Sequence, residues 1–244
     1  MMTERLKKRI IGAEETIRKG LVETSKPYLS CSWGKDSITL LSLVQETCGL
    51  ERIAVVFMNS GYDLPELYST RDRLLKEWHI TNYHEIKSPI DYVTLLEQYG
   101  LRNITRTDQQ QRDVVKIIKK DNITKWAEEN GYNGFLWGMR SDESVGRKMY
   151  FRKFGAVHTL RGFVRISPLM NWTQQDVWQY IEDRSIPYPA FYDKNDLLDR
   201  KEIRSSGWLT ADGAHRGRIV WLKSHYPDQY AEFARLFPEV KHYV

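Results

Sequence analysis

Residues 28–37 read YLSCSWGKDS, and residues 38–44 continue as ITLLSLV. Tyr28–Ser30 is a short strand-like segment, after which small, polar and charged residues take over. Asp36–Cys48 then carries Ile38, Leu41, Leu43 and Val44 at helical spacing. A strand, a tight polar turn and a helix in this order make the opening unit of a parallel α/β sheet. Ligands of such sheets bind beyond the carboxyl ends of the strands, where backbone N–H groups converge at the positive end of a helix dipole. In this turn Ser30, Ser32 and Ser37 offer hydroxyls, and Gly34 permits close approach. Lys35 offers charge, and Asp36 is a candidate Mg²⁺ ligand. The same residues also suit an ordinary turn, with Asp36 or Ser37 as helix N-cap and Gly34 serving the bend. Spacing alone does not choose between the two. Neither GxxxxGK[ST] nor GxGxxG is present, so a Walker loop and a dinucleotide fingerprint are both excluded.

Outward from this stretch the pattern repeats. Residues 3–24 predict an amphipathic helix that ends before Lys26-Pro27. The continuous apolar run Ile53–Met58 predicts a strand buried on both faces. Asn59–Leu64 is a loop, with Pro65 at the first position of the next helix, and Asn82–Ile86 is a third strand. Residues 90–130 read as mostly helical with a polar break at Arg102–Gln110. Gly134–Met139 and Phe163–Ser167 are further strands, and Thr173–Arg184 is a helix. The alternation predicts a doubly wound, mostly parallel α/β sheet flanked by helices, with a C-terminal extension of loops and short helices. The expected division is an N-terminal helix (1–26), a nucleotide-binding domain (27–184) and an extension packed on it (185–244).

The 244 residues are 41% hydrophobic and 28% charged, the composition of a soluble globular chain. No apolar run approaches the roughly 18 residues of a membrane span. The basic N-terminus lacks the apolar core of a signal peptide, so the expectation is a cytoplasmic protein with no membrane partner. Two cysteines, Cys31 and Cys48, cannot supply a four-cysteine zinc site or an iron–sulfur cluster within one chain. The net charge of +5 is concentrated. Residues 140–165 hold Arg140, Arg147, Lys148, Arg152, Lys153, Arg161 and Arg165 against only Asp142 and Glu143. This excess suits a solvated face, a nucleic-acid backbone or a pocket for a small polyanion. The prevalence of arginine favours the pocket, since its planar fork fits phosphate and sulfate oxygens.

Four stretches together resemble a known family. SCSWGKDS resembles the pyrophosphate-binding PP-loop (SGGxDS or SxGKDS) of the adenine-nucleotide α-hydrolases. FMNSGYDLPELYSTRDRL (57–74) resembles the segment after the second strand in ATP sulfurylase small subunits and phosphoadenylyl-sulfate (PAPS) reductases. GMRSDESVGRK (138–148) resembles their G-x-R-x-D-E-x-x-x-R loop, and residues 164–193 their P-L-x-x-W-T-x-x-D-V-W-x-Y-I segment. The four stand in the family's order and span roughly residues 27–195. The resemblance implies that Ser30, Ser32, Gly34, Asp36 and Ser37 grip nucleotide phosphates and that Met58 and Asn59 lie near the adenosine. Gly138, Arg140 and Arg147 then face the phosphate or sulfate end. The implied ligands are ATP or PAPS with Mg²⁺ at Asp36 and no iron–sulfur cluster.

Within that family two chemistries compete. ATP-using members keep Lys-Asp at the positions of Lys35 and Asp36, which implies cleavage at the α-phosphate, with Lys35, Asp36 and Arg140 as catalytic candidates and an acidic acceptor such as sulfate. PAPS reductases use a cysteine near the C-terminus, whereas the last cysteine here is Cys48 and Cys31 reads as a small packed side chain. A third reading, modification of nucleic acid, draws on Trp137, Tyr150, Phe151 and Phe154 among the basic residues. The expected partners are an adenine nucleotide, a separate GTPase-type large subunit or nucleic acid, and further copies of the chain in a homo-oligomer. His215, Arg216 and Arg218 are read as surface or capping residues, and His158 as structural.

Overall fold

The computed structural model describes residues 2–61, 63–90, 92–101, 107–117, 121–203 and 217–244. Helix α1 (Glu4–Val22) begins at Thr3, whose hydroxyl accepts from the Leu6 N–H, and buries Leu6, Ile10, Ala13 and Ile17 along one stripe. Strand β1 (Pro27–Ser30) leads into α2 (Lys35–Cys48), and β2 (Ala54–Asn59) into α3 (Pro65–Glu77). Then follow β3 (Tyr83–Lys87), α4 (Tyr92–Tyr99), α5 (Asp108–Val115), α6 (Asp121–Glu129) and β4 (Gly134–Trp137). The chain continues through α7 (Val145–Phe154), β5 (Val157–Leu160), β6 (Phe163–Ile166) and α8 (Gln174–Asp183) to α9 (Gly217–His225) and α10 (Pro227–Leu236).

The strands form one sheet in the order β3-β2-β1-β4-β6-β5. β1 runs parallel to β2 and β4, β4 runs parallel to β6, and β5 is an antiparallel edge. Register follows the side-chain alternation. Tyr28 lies beside Ala54 and Phe135, so its neighbours form one face; Leu29 lies beside Val55 and Leu136, which form the other. The Tyr28 face packs against α6 through Ala127, Ile123 and Trp126. On the opposite face α1 lies against β6. A methyl group at Gly20 of α1 would come within 2.5 Å of the Ile166 side chain, so glycine sets how closely helix and sheet approach.

Contacts divide the described chain into two compact units. The larger comprises residues 1–58, 67–86 and 123–189 and contains most of the sheet; the second comprises residues 59–66, 87–122 and 190–244. In the second, Leu95 and Val114 are buried with Ile90, Tyr99 and Ile117 around them. There too Glu66 accepts from the Lys194 ammonium and the Tyr226 hydroxyl, each at 2.7 Å, and the Trp221 indole N–H donates to the Lys194 carbonyl.

The sheet matches the expected doubly wound α/β class, with two local differences. Residues 145–154 form a helix and 157–160 an antiparallel strand, neither of which the sequence pattern predicted. The strands expected to reach Met139 and Ser167 end at Trp137 and Ile166.

Candidate functional site

Strand order reverses at β1, whose neighbours β2 and β4 lead the chain away in opposite directions. Two loops leave the carboxyl ends of β1 and β4 at this crevice, the position at which doubly wound sheets bind ligands. After Ser30 the Cys31 N–H donates to the Val56 carbonyl at 2.9 Å, carrying the β1 pairing one residue further. Trp33 then adopts φ of +57°, a left-handed conformation costly for a side chain. Its ring is fully buried, with the Tyr83 ring centroid 5.9 Å away. Trp33 stands where the SGGxDS pattern has its second residue, glycine, so packing holds here the backbone shape that glycine adopts freely. Sequence reasoning passed over this residue.

Gly34 is the N-cap of α2 and brings no capping side chain, an arrangement that suits an anion in that place. The Ser37 hydroxyl donates to the Gly34 carbonyl at 2.9 Å and lies 3.3 Å from the Ser32 hydroxyl. Cys31 is buried, and burial pushes its thiol up to about 12, so no thiolate forms near neutral pH.

The β4 loop meets this turn at the level of the backbone. A methyl group at Gly138 would stand 3.0 Å from the carbonyl carbon and oxygen of Asp36 and 3.2 Å from the Ser37 nitrogen. Glycine therefore lets the two loops touch. Two residues on, Arg140 is only 3% exposed, with its Nε 2.7 Å from Asp36 Oδ1. Asp36 Oδ2 holds the Lys35 ammonium at 2.8 Å, and an Arg140 terminal nitrogen lies 2.8 Å from Asp142. Asp142 also accepts from the Gln174 N–H at the start of α8, while Glu143 accepts from the Arg140 N–H and pairs with Arg147. Asp142 and Glu143 were not singled out from sequence, although both belong to the G-x-R-x-D-E pattern.

Lys35, Asp36, Ser32, Ser37, Gly34, Gly138 and Arg140 are thus brought together, with Arg147 joined through Glu143. Ser30 ends β1, and Met58 is the half-buried penultimate residue of β2. Asn59 closes that strand, its side-chain carbonyl accepting from the Gly61 N–H at 2.7 Å. As a metal site the cluster fits poorly: both Asp36 oxygens already face cations, and the described residues contain no group of three or more metal-type ligands.

The other cations of the basic segment divide by surroundings. Arg165 lies over the rings of Phe135 and Trp137 and donates to the Tyr150 hydroxyl. That hydroxyl is 2.7 Å from His158 Nε2, a partner consistent with a structural His158, whose pKa burial and Arg165 lower. Lys148, Arg152, Lys153 and Arg161 are exposed, as are Val145 and Met149 on α7. Arg218 is buried; His215 and Arg216 lie outside the described residues.

The sequence model of the phosphoadenosine phosphosulfate reductase domain matches residues 26–233. A sulfate adenylyltransferase subunit 2 from Mycobacterium sp. (strain KMS) is 26% identical over 205 residues, covering 75% of this chain and 64% of that protein. One from Streptomyces lavendulae is 25% identical over 215 residues, covering 80% and 64%. The chain therefore spans just under two thirds of the length of these relatives. Among solved structures, a PAPS reductase from Candida auris in a phosphate complex superposes with a TM-score of 0.57 at 17% identity, over 79% of this chain and 92% of that one, a likeness of fold.

Proposed function

Since the chain belongs to the phosphoadenosine phosphosulfate reductase domain family, we propose that it binds ATP at the β1 and β4 loops and transfers the adenylyl group to a small oxyanion of the sulfate class. One observation carries the reading: a turn with phosphate-loop character and a buried arginine meet at the strand-order reversal. An acceptor oxygen attacks the α-phosphorus, the new P–O bond forms, and the bond to pyrophosphate breaks. No protein nucleophile is required. The demand is for fixed positive charge and N–H groups around the phosphoryl oxygens as negative charge builds on them. Lys35, Arg140, the Ser32 and Ser37 hydroxyls and the α2 amides supply it, and Met58 and Asn59 border the adenosine. Arg147 and Gly138 shape the far end of the phosphate path.

Thiol-dependent reduction of PAPS is disfavoured by the state of Cys31. Cys31, the cysteine within the turn, is buried with a raised pKa. The relatives are each called a subunit 2, which supports a separate partner subunit for this chain as well.

Calorimetry with ATP and with PAPS, followed by a pyrophosphate assay with sulfate present, tests the reading. ATP binding with sulfate-dependent pyrophosphate release is the expected outcome. Ser37→Ala should weaken ATP binding by about 1–3 kcal/mol as a hydrogen bond to a charged group is lost. Tight PAPS binding without pyrophosphate release from ATP would overturn the proposal.

A further inference from the structure

We infer that Asp36 is the counter-charge that fixes Lys35 and Arg140 for the phosphates and is not a ligand to a metal ion. The inference rests on the ATP-binding reading above and concerns the role of one side chain within it.

Asp36 stands between two cations, hydrogen-bonded to Lys35 and in ion-pair contact, without a hydrogen bond, with Arg140. Oδ1 is 2.7 Å from Arg140 Nε and Oδ2 is 2.8 Å from Lys35 Nζ. Mg²⁺ takes oxygen ligands at about 2.0–2.1 Å in strict octahedral geometry. On either oxygen it would have to sit against a cation that is itself nearly buried, since Lys35 is 7% and Arg140 3% exposed. The nearby carboxylates give no relief: Asp142 binds Arg140 and accepts from the Gln174 N–H, and Glu143 accepts from the Arg140 N–H and pairs with Arg147. Lys35, Arg140, Asp36 and Asp142 form a balanced set of two cations and two anions. A divalent ion added to that set would face two cations already at contact with Asp36.

The anchoring role explains the same contacts directly. A buried guanidinium that loses one of its two carboxylates is left only partly compensated. Asp36 and Asp142 grip Arg140 from opposite sides, Glu143 holds its backbone N–H, and Gly138 lets the loop approach the Asp36 backbone. Asp36 is therefore a positioning residue for the two cations, and a magnesium ion needed for turnover arrives on the nucleotide phosphates.

The test compares Asp36→Asn, Arg140→Met and the double variant with the wild-type full chain. ATP affinity is measured by calorimetry in excess EDTA and again in excess Mg²⁺. The expected result is a loss of tenfold or more in Asp36→Asn by a similar factor in both buffers, with Arg140→Met adding less than threefold in that background. A loss confined to the Mg²⁺ buffer would overturn the inference. Two readouts need no nucleotide. Mn²⁺ added to the wild-type chain alone should keep the electron-spin spectrum of the free ion, whereas a bound-ion spectrum abolished by Asp36→Asn contradicts the anchor. The melting-temperature losses of the two single variants should not add in the double variant; additive losses contradict it. If the wild type binds no ATP, the adenylyl-transfer reading fails, while the Mn²⁺ spectrum and the melting cycle still decide the role of Asp36.

Discussion

Gly138 shows how much of the site depends on a missing side chain. A Cβ there meets backbone atoms of Asp36 and Ser37 and not the flexible end of a side chain, so the turn after β1 must itself shift to admit it. Gly138→Ala should cost about 1–3 kcal/mol of stability by overpacking. It should also weaken ATP binding several-fold, both measurable on one preparation by denaturant melts and calorimetry. Legibility in the sequence differed between residues at this scale. Gly34, Lys35, Asp36 and Ser37 are adjacent in the chain, and their small and charged types point to an anion. Arg140 was reached through the basic segment and its motif, but nothing local says that it folds back onto Asp36. Trp33 stayed hidden, since a bulky residue gives no warning of a left-handed backbone that its own burial stabilises.

At the scale of elements, the clasp between α2 and α8 is the clearest device outside the site. Glu46 accepts from the Arg184 Nε at 2.7 Å and from its terminal nitrogen at 3.0 Å; the Tyr180 hydroxyl donates to it at 3.2 Å. The hydrogen bond from Arg184, reinforced by its charge and outweighing partial burial, lowers the Glu46 pKa. A lowered carboxylate pKa adds stability above the unfolded value of about 4.3, and that stability is lost as pH falls through the folded value. Glu46→Gln should therefore melt below the wild type by a constant margin at neutral pH, and the margin should close below about pH 4. Element prediction worked where burial was two-sided or one stripe was apolar, as in β2, α1 and α8. It missed α7 because Val145 and Met149 face solvent and only Phe151 is buried, so no apolar stripe marks the helix. It missed β5 because an edge strand of half-buried residues, VHTL, lacks the apolar run that betrays an interior strand.

For the whole molecule, sequence alternation gave the sheet class and the chain order of the motifs, but not the strand order. That order rests on pairings between distant segments, such as β1 with β4 over a hundred residues later. The two-unit division was legible only at its last boundary, where the expected extension from residue 185 falls near residue 190; residues 59–66 and 87–122 join that unit through contacts that their local sequence does not announce. The basic segment that equals the net charge is divided in its turn. Arg140, Arg147 and Arg165 are committed to Asp36 and Asp142, to Glu143 and to Tyr150, while Lys148, Arg152, Lys153 and Arg161 face water. Under the ATP-binding reading proposed above, this division would separate the kinetics of capture from those of retention. The outward cations would act at a distance and be screened by salt, whereas the buried Arg140 would act at contact and be screened far less. Stopped-flow mixing with a fluorescent ATP analogue at rising ionic strength should show the association rate constant falling while the dissociation rate constant barely moves. Replacing Lys148, Arg152 and Lys153 by glutamine should flatten that salt dependence, so the surface of α7 would govern how often a nucleotide arrives and the turn after β1 how long it stays.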